Sequence, residues 1–156
     1  LGALVENGID AKGKNCTVFN SDMKVRIEKF NKSVYPDVSV VCGDIETYKN
    51  SQSVIINPML FIEVLSQSTK AYDKSEKFDL YRSLPSFKEY MIVYQTVPNV
   101  QTWYKEDEKF WRIGSAEGLD KSIRLHSLDM EIQLADIYKR LQNLQDINSV
   151  DLTLAY

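Results

Sequence analysis

Glu63 is the residue whose type and surroundings most strongly suggest chemistry, because it is a carboxylate in the middle of an apolar segment. The segment Leu60–Leu65 otherwise contains only leucine, phenylalanine, isoleucine and valine, a composition typical of a buried β-strand. An ionised carboxylate away from water is unfavourable unless it is paired or coordinated. We therefore expect Glu63 to contact a cation, a hydrogen-bond network or a metal ion.

Asp37 is a second carboxylate in strand-like sequence, since it follows Pro36 in the β-branched stretch 34–42, which predicts a central strand. If this strand neighbours that of Glu63, both carboxylates can face one cleft, where their repulsion keeps at least one of them protonated unless a cation lies between them. Mg²⁺ binds through one or two carboxylates together with water and substrate phosphate, and Mn²⁺ can substitute for it. The residues therefore favour a metal site made of Asp37, Glu63 and the main-chain carbonyl oxygen of Val64.

Lys77 is the third candidate, because it lies in the first turn of the helix predicted after this strand. A helix packed over the sheet can bring its ammonium group toward Glu63. There it would orient or help deprotonate the attacking water and stabilise charge on a phosphoryl transition state, while the metal polarises the phosphodiester.

Each of these residues also has a purely structural interpretation. Asp37 after a proline is typical of a turn or the start of a strand. Lysines on helices are mostly solvated, and buried pairs such as Glu63–Lys77 occur in protein cores without a catalytic function. Metal-dependent cleavage would distinguish a catalytic site from a binding module, which binds without cleaving, and from a structural pair, which does neither.

Other kinds of site have little support in the sequence. His126 is the only histidine, which argues against a zinc site. Ser66 and Ser68 have no histidine nearby, which argues against a serine triad. The sequence also has no glycine-rich phosphate loop.

Length and composition predict one domain, residues 1–156, with an ordinary hydrophobic core. The net charge of −3 gives no overall positive field, so any binding of nucleic acid requires a local patch. No apolar run is long enough to span a membrane. Cys16 and Cys42 are expected to be free thiols that pack as small hydrophobic residues, which favours a reducing cytoplasm.

Most of the chain has the pattern of short strands, with a helix between two of the core strands. That helix is predicted to begin at Asp73, with Glu76 completing a capping box, and to end at Leu84 before Pro85. The strand–helix–strand order from Leu60 to Tyr94 implies a parallel crossover and therefore an α/β fold with a mixed sheet. We also predict the end of a helix within 1–14, a helix at 134–144, and strands at 16–19, 23–27, 90–94, 100–104, 110–113, 122–125 and 130–134.

Two long stretches of the sequence resemble a known family. They are YPDVSVVCG, residues 35–43, and NPMLFIEVLSQSTKAYDKSEKFDLYRSLPSFKEYMIV, residues 57–93. Both are similar to the Uma-two family of restriction-endonuclease-like proteins, a branch of the PD-(D/E)XK nuclease superfamily. The likeness extends from about Cys16 to Leu141.

The resemblance implies a restriction-endonuclease-like three-layer sandwich with a central mixed β-sheet and an extra C-terminal hairpin. It implies a Mg²⁺-dependent endonuclease that hydrolyses phosphodiester bonds in DNA, with the metal on Asp37 and Glu63. The superfamily places a lysine two residues after the second acid, where this chain has Leu65. The Uma-two branch takes its lysine from the following helix, and Lys77 is the matching position.

The resemblance also bears on assembly and completeness. Nucleases of this kind often pair to cut two strands, which implies a homodimer. Relatives carry an N-terminal helical segment and hairpin that usually supply a further acidic residue, so we expect this chain to be a shortened form with an incomplete cleft. A catalytically inactive nuclease-fold module that binds DNA or a protein partner is therefore the alternative function.

Overall fold

The computed structural model describes residues 1–65 and 75–139. Strand residues outnumber helical residues in this part of the chain, in agreement with the predicted class. The helices are α1 (Gly2–Ala11), α2 (Lys77–Tyr81) and α3 (Leu134–Tyr138). The strands are β1 (Cys16–Phe19), β2 (Lys24–Ile27), β3 (Lys32–Val34), β4 (Val38–Cys42), β5 (Val54–Ile55), β6 (Leu60–Leu65), β7 (Glu89–Tyr94), β8 (Asn99–Lys105), β9 (Trp111–Glu117), β10 (Ser122–Leu125) and β11 (Met130–Gln133).

A six-stranded sheet in the order β1-β4-β6-β7-β8-β9 forms the centre of the fold. β6 and β7 are parallel, as the predicted crossover requires, and their other neighbours pair antiparallel. All six residues of β7 are buried, because a strand between two neighbours and two covering layers has no solvated face. The prediction of a mixed α/β fold with a central mixed sheet is therefore confirmed.

Each face of the central sheet is covered by its own layer. Alternation along β6 sends Leu60 and Ile62 to one face, where α1, α3 and the C-terminal hairpin β10–β11 pack. Phe61 and Leu65 point to the other face, against α2 and a small sheet in the order β3-β2-β5. Glu63 has the same parity as Phe61, so the sequence places its carboxylate on the α2 face.

The single strand predicted over 34–42 is wrong, because the chain is divided there between two sheets. β3 ends at Val34 in the small sheet, and β4 begins at Val38 in the central sheet. Pro36 lies between them, where its missing N–H interrupts no ladder. The break therefore leaves Asp37 at the start of β4, at the junction of the two sheets.

The helix predictions agree with the structure only over their central parts. α2 covers Lys77–Tyr81, and the predicted capping residue Asp73 lies outside the described residues. α3 begins at Leu134 as predicted, whereas the residues after Lys139 also lie outside them. No helix in these described parts has the length and apolar character needed to cross a bilayer.

The expectation of two free thiols is wrong, because Cys16 and Cys42 form a disulfide across β1 and β4. The antiparallel register places the two residues directly opposite each other. In the adjacent pair, Asn15 and Gly43, the Gly43 N–H donates to the Asn15 carbonyl oxygen. Hydrogen-bonded and non-hydrogen-bonded pairs alternate along an antiparallel ladder, so the two cysteines form a non-hydrogen-bonded pair, in which side chains approach most closely. The argument for a reducing compartment therefore has no structural support.

Candidate functional site

The two acids singled out in the sequence lie at one end of the β4–β6 ladder. The last paired residues are Val38 and Ile62, and one further step in the same register places Asp37 opposite Glu63. Opposed residues of an antiparallel pair project from the same face of the sheet. The structure therefore brings Asp37 and Glu63 to the same face and the same edge, at the carboxyl end of β6.

Glu63 is buried, with 1% of its surface exposed, and its contacts come from α2. The Lys77 ammonium group lies 3.2 Å from Oε1, and the Tyr81 hydroxyl donates to the same oxygen at 2.5 Å. The residues are four apart on one face of the helix, so a single turn presents both donors to the carboxylate. The predicted approach of Lys77 to Glu63 is confirmed.

Tyr81 is a contact of Glu63 that the sequence analysis did not single out. Its ring stacks on Phe61 with 4.0 Å between ring centroids, which fixes the direction in which the hydroxyl points. The sequence did contain a signal for this contact, since Tyr81 lies one helical turn after Lys77. A buried tyrosine hydroxyl usually has a hydrogen-bond partner, and Glu63 was the nearby candidate.

Asp37 is partly buried and caps the end of the ladder. Its Oδ2 accepts a hydrogen bond of 2.8 Å from the main-chain N–H of Val64. This N–H comes one residue after Glu63, beyond the last paired position of β4. The side chain of Asp37 thus replaces a strand partner and is held against the backbone that follows Glu63.

The donor set of this edge suits a hard divalent cation. Two carboxylates and main-chain oxygens are the ligands that Mg²⁺ and Mn²⁺ prefer, and Mg²⁺ needs only one or two protein carboxylates. Within residues 1–65 and 75–139 no cluster of three or more histidine, cysteine, aspartate or glutamate side chains is arranged to hold a metal ion. Asp37, Glu63 and the carbonyl oxygen of Val64 could hold such an ion only with water and substrate completing the shell.

Glu89 is a second buried carboxylate, which the sequence analysis did not single out. It pairs with Leu60 in the parallel ladder and so lies on the face opposite Glu63. Its Oε1 accepts bonds of 2.9 Å and 2.7 Å from the N–H and hydroxyl of Ser127, and its Oε2 accepts one of 3.2 Å from the N–H of His126. Glu89 therefore anchors the 3₁₀ turn His126–Leu128, and this structural role keeps it apart from the site.

The pH dependence of stability should report this second carboxylate. Burial raises the pKa of Glu89 above its ordinary value of 4.5, and the bonds from Ser127 and His126 only partly oppose that effect. A raised pKa in the folded state means that the contribution to stability is complete below about pH 4.5 and is lost as the pH rises through the folded-state value. We expect the free energy of unfolding of the wild type, minus that of Glu89→Gln, to fall in urea titrations as the pH rises above about 4.5, the ordinary pKa of the carboxyl.

Glu108→Gln is the matched control for this measurement, because that side chain is 90% exposed. A difference that stays flat for Glu89→Gln would contradict the assignment of a desolvated carboxylate at the His126–Leu128 turn.

The arrangement described above is that of a nuclease-like α/β fold, as a comparison with solved structures shows. The chain superposes on the crystal structure of a "putative nuclease belonging to DUF820" from Anabaena variabilis with a TM-score of 0.69. The match covers 90% of this chain and 76% of the other, at 12% sequence identity. At that identity the likeness concerns the fold alone.

The chain belongs to the Uma2 family, which is described as "Putative restriction endonuclease" and matches residues 1–136. Two relatives come from Synechocystis sp. and carry the names "Uncharacterized protein slr1290" and "Uncharacterized protein sll1609". Each is 34% identical to this chain, over 141 and 106 residues respectively. The matches cover 90% and 68% of this chain, and 72% and 60% of the relatives. The family resemblance seen in the sequence is confirmed.

Proposed function

We propose that this protein is a metal-dependent endonuclease that hydrolyses phosphodiester bonds in DNA. The observation that carries the proposal is the strand register, which puts Asp37 and Glu63 on one face at one edge of the sheet. Lys77 lies against the same edge, 3.2 Å from the Glu63 carboxylate. Membership of a family described as "Putative restriction endonuclease" supports DNA as the substrate.

Each residue has a distinct role in this proposal. Asp37 and Glu63, with the Val64 carbonyl oxygen, would hold Mg²⁺, which when bound polarises the phosphodiester and activates water. Lys77 orients the attacking water and stabilises the negative charge that develops on the phosphoryl oxygens. Tyr81 fixes the orientation of Glu63, so that its carboxylate stays directed toward the edge of the sheet.

We propose further that the protein works as a homodimer built from single domains of 1–156, because a pair of sites cuts both strands of a duplex. A cytoplasmic location is part of the same proposal, because that is where the DNA substrate lies, and the Cys16–Cys42 disulfide is the observation that opposes it. Gel filtration with light scattering on the intact chain tests the dimer, for which a mass of about twice 18.0 kDa is expected.

The binding of Mn²⁺ is the decisive test of the metal site. We expect saturable binding in calorimetric titration of the wild type and its loss in Asp37→Ala, because one of two carboxylate ligands is removed. Asp22→Ala is the matched control, since this exposed aspartate lies in the turn before β2. A wild type that binds no Mn²⁺, or a mutant that binds it equally well, would contradict the proposal, and a plasmid-cleavage assay follows a positive result.

A second function is favoured by one observation. Oε1 of Glu63 already accepts from both Lys77 and Tyr81, a geometry that also suits a carboxylate neutralised for structural reasons. Under this alternative the protein is an inactive nuclease-fold module that binds DNA or a protein partner. It predicts DNA binding without cleavage and without metal dependence.

A further inference from the structure

The hairpin formed by β2 and β3 combines positive charge with exposed aromatic rings. Residues 24–35 contain four cations, Lys24, Arg26, Lys29 and Lys32, against the one carboxylate of Glu28, a local charge of +3 in a chain of net charge −3. Such a patch is what a protein without an overall positive field needs for contact with phosphates.

Three of the four cations are available for a ligand. Arg26 is engaged by Glu28 and Asn31. No ion pair joins Lys24, Lys29 or Lys32 to a carboxylate within the described residues. Their charge is therefore not cancelled locally.

The aromatic rings of this hairpin are exposed next to these cations. Tyr35 is 52% exposed with the Lys24 ammonium 5.7 Å from its ring centroid, and Phe30 is 45% exposed with Lys29 at 5.7 Å. Large exposed rings that alternate with cations match the surfaces on which unpaired bases stack while phosphates meet the cations.

A second exposed hairpin shows that this combination is not a general property of hairpins in this fold. The loop between β8 and β9 carries Phe110, which is 63% exposed. Residues 105–112 hold three cations and three carboxylates, a local charge of zero. Positive charge without compensation thus distinguishes the β2–β3 hairpin.

The hairpin is continuous with the proposed catalytic edge. Tyr35 comes two residues before Asp37. Lys29 and Phe30 line a depression of about 350 Å³ together with Asp79, Arg82 and Ser83 of the α2 region. The single carboxylate there, Asp79, pairs with Arg82 at 3.1 Å. The α2 region thus contributes residues to this depression and also presents Lys77 to Glu63.

We propose that the β2–β3 hairpin binds a DNA strand with unpaired bases and leads it to Asp37, Glu63 and Lys77. Lys24, Lys29 and Lys32 contact phosphates, and Phe30 and Tyr35 stack on bases. The inference rests on the proposed function and adds the substrate class, which is single-stranded DNA or DNA with a locally opened duplex.

Binding measured without metal tests this inference separately from cleavage. The probe is a fluorescent single-stranded DNA of about 20 nucleotides, with its duplex as comparison, in anisotropy titrations with EDTA. Phe30→Ala/Tyr35→Ala should weaken single-strand binding by about tenfold or more and change duplex binding little, because only unpaired bases stack on rings. Lys29→Ala/Lys32→Ala should reduce the slope of log affinity against log salt for the single strand by about 1.4, at about 0.7 per phosphate contact.

Phe110→Ala and Lys109→Ala on the other hairpin are the matched controls and should bind as the wild type does. The inference is overturned if the β2–β3 variants bind like the wild type, or if the controls lose as much affinity. Because the lysines are exposed, their variant gives a result even if the aromatic variant lowers the thermal unfolding midpoint. If binding depends on the hairpin but no metal-dependent cleavage is found, only the nuclease proposal is overturned. If the protein cleaves DNA but its binding does not depend on the hairpin, only this inference is overturned.

Discussion

Glu63→Gln is expected to lower metal-dependent DNA cleavage by about 100-fold or more, since under the proposed function it removes a direct metal ligand, and that loss exceeds the about 10- to 100-fold typical of outer-shell partners. The free energy of unfolding should fall by less than the about 3–5 kcal/mol typical of breaking a buried pair, because the Lys77 side chain that loses its charge partner is 15% exposed and the amide oxygen still accepts from Tyr81 and Lys77. Plasmid cleavage under single-turnover conditions and urea unfolding of the same preparations measure the two quantities.

The matched control is Glu131→Gln, an exposed glutamate in β11 on the opposite side of the sheet. It should cleave and unfold as the wild type does. Full cleavage by Glu63→Gln would place the chemistry elsewhere and would leave the Glu63–Lys77 pair with a structural role.

Lys77→Met should produce the largest loss of stability among the variants considered. Removing one partner of a buried ion pair leaves a carboxylate with 2% of its side chain exposed and typically costs about 3–5 kcal/mol. We expect the lower end, about 3 kcal/mol in urea unfolding at pH 7, because Tyr81 continues to donate to Glu63. Cleavage should also fall, since under the proposed function Lys77 is the cation that stabilises the transition state.

Arg82→Met is the control for this variant, because its ion pair with Asp79 lies on the same helix region but is about half exposed. Exposed pairs contribute only about 0–1 kcal/mol. A loss for Lys77→Met no greater than that for Arg82→Met would contradict the buried-pair assignment.

The double variant Glu63→Gln/Lys77→Met separates stability from catalysis. Replacing both charges by neutral groups of similar size should restore most of the stability lost in Lys77→Met. Cleavage should stay at the low level of the single variants, because the proposed metal ligand and the proposed cation are both missing. Recovery of both properties together would not fit a catalytic role for either residue.

The core of this fold could be predicted from the sequence because its strands are apolar runs with clear ends. β6 was predicted with its observed bounds, and the carboxylate of Glu63 was noticeable there because its neighbours are all apolar. The contact with Lys77 followed from the family resemblance together with the packing of a helix after a strand.

What the sequence could not supply depends on register and on contacts between distant segments. The disulfide requires Cys16 and Cys42 to be paired across two strands 26 residues apart in the chain. Glu89 is the first residue of β7, and in the sequence it resembles an ordinary residue at a strand boundary. The turn that it anchors lies 37 residues further along the chain, so no local pattern reveals the contact. The break at Pro36 had a local signal, but the β-branched residues on both sides of it favoured one continuous strand.

The hydrogen bond from Val64 to Asp37 has a consequence for observing the protein in solution. This amide hydrogen is held by a side chain and not by a neighbouring strand. Its exchange with deuterium therefore requires only rotation of one aspartate, whereas amides within the β6–β7 ladder require the strands to separate. The rate of hydrogen–deuterium exchange at the Val64 amide therefore reports how firmly the Asp37 carboxylate is held, and it can be measured in the unmodified chain.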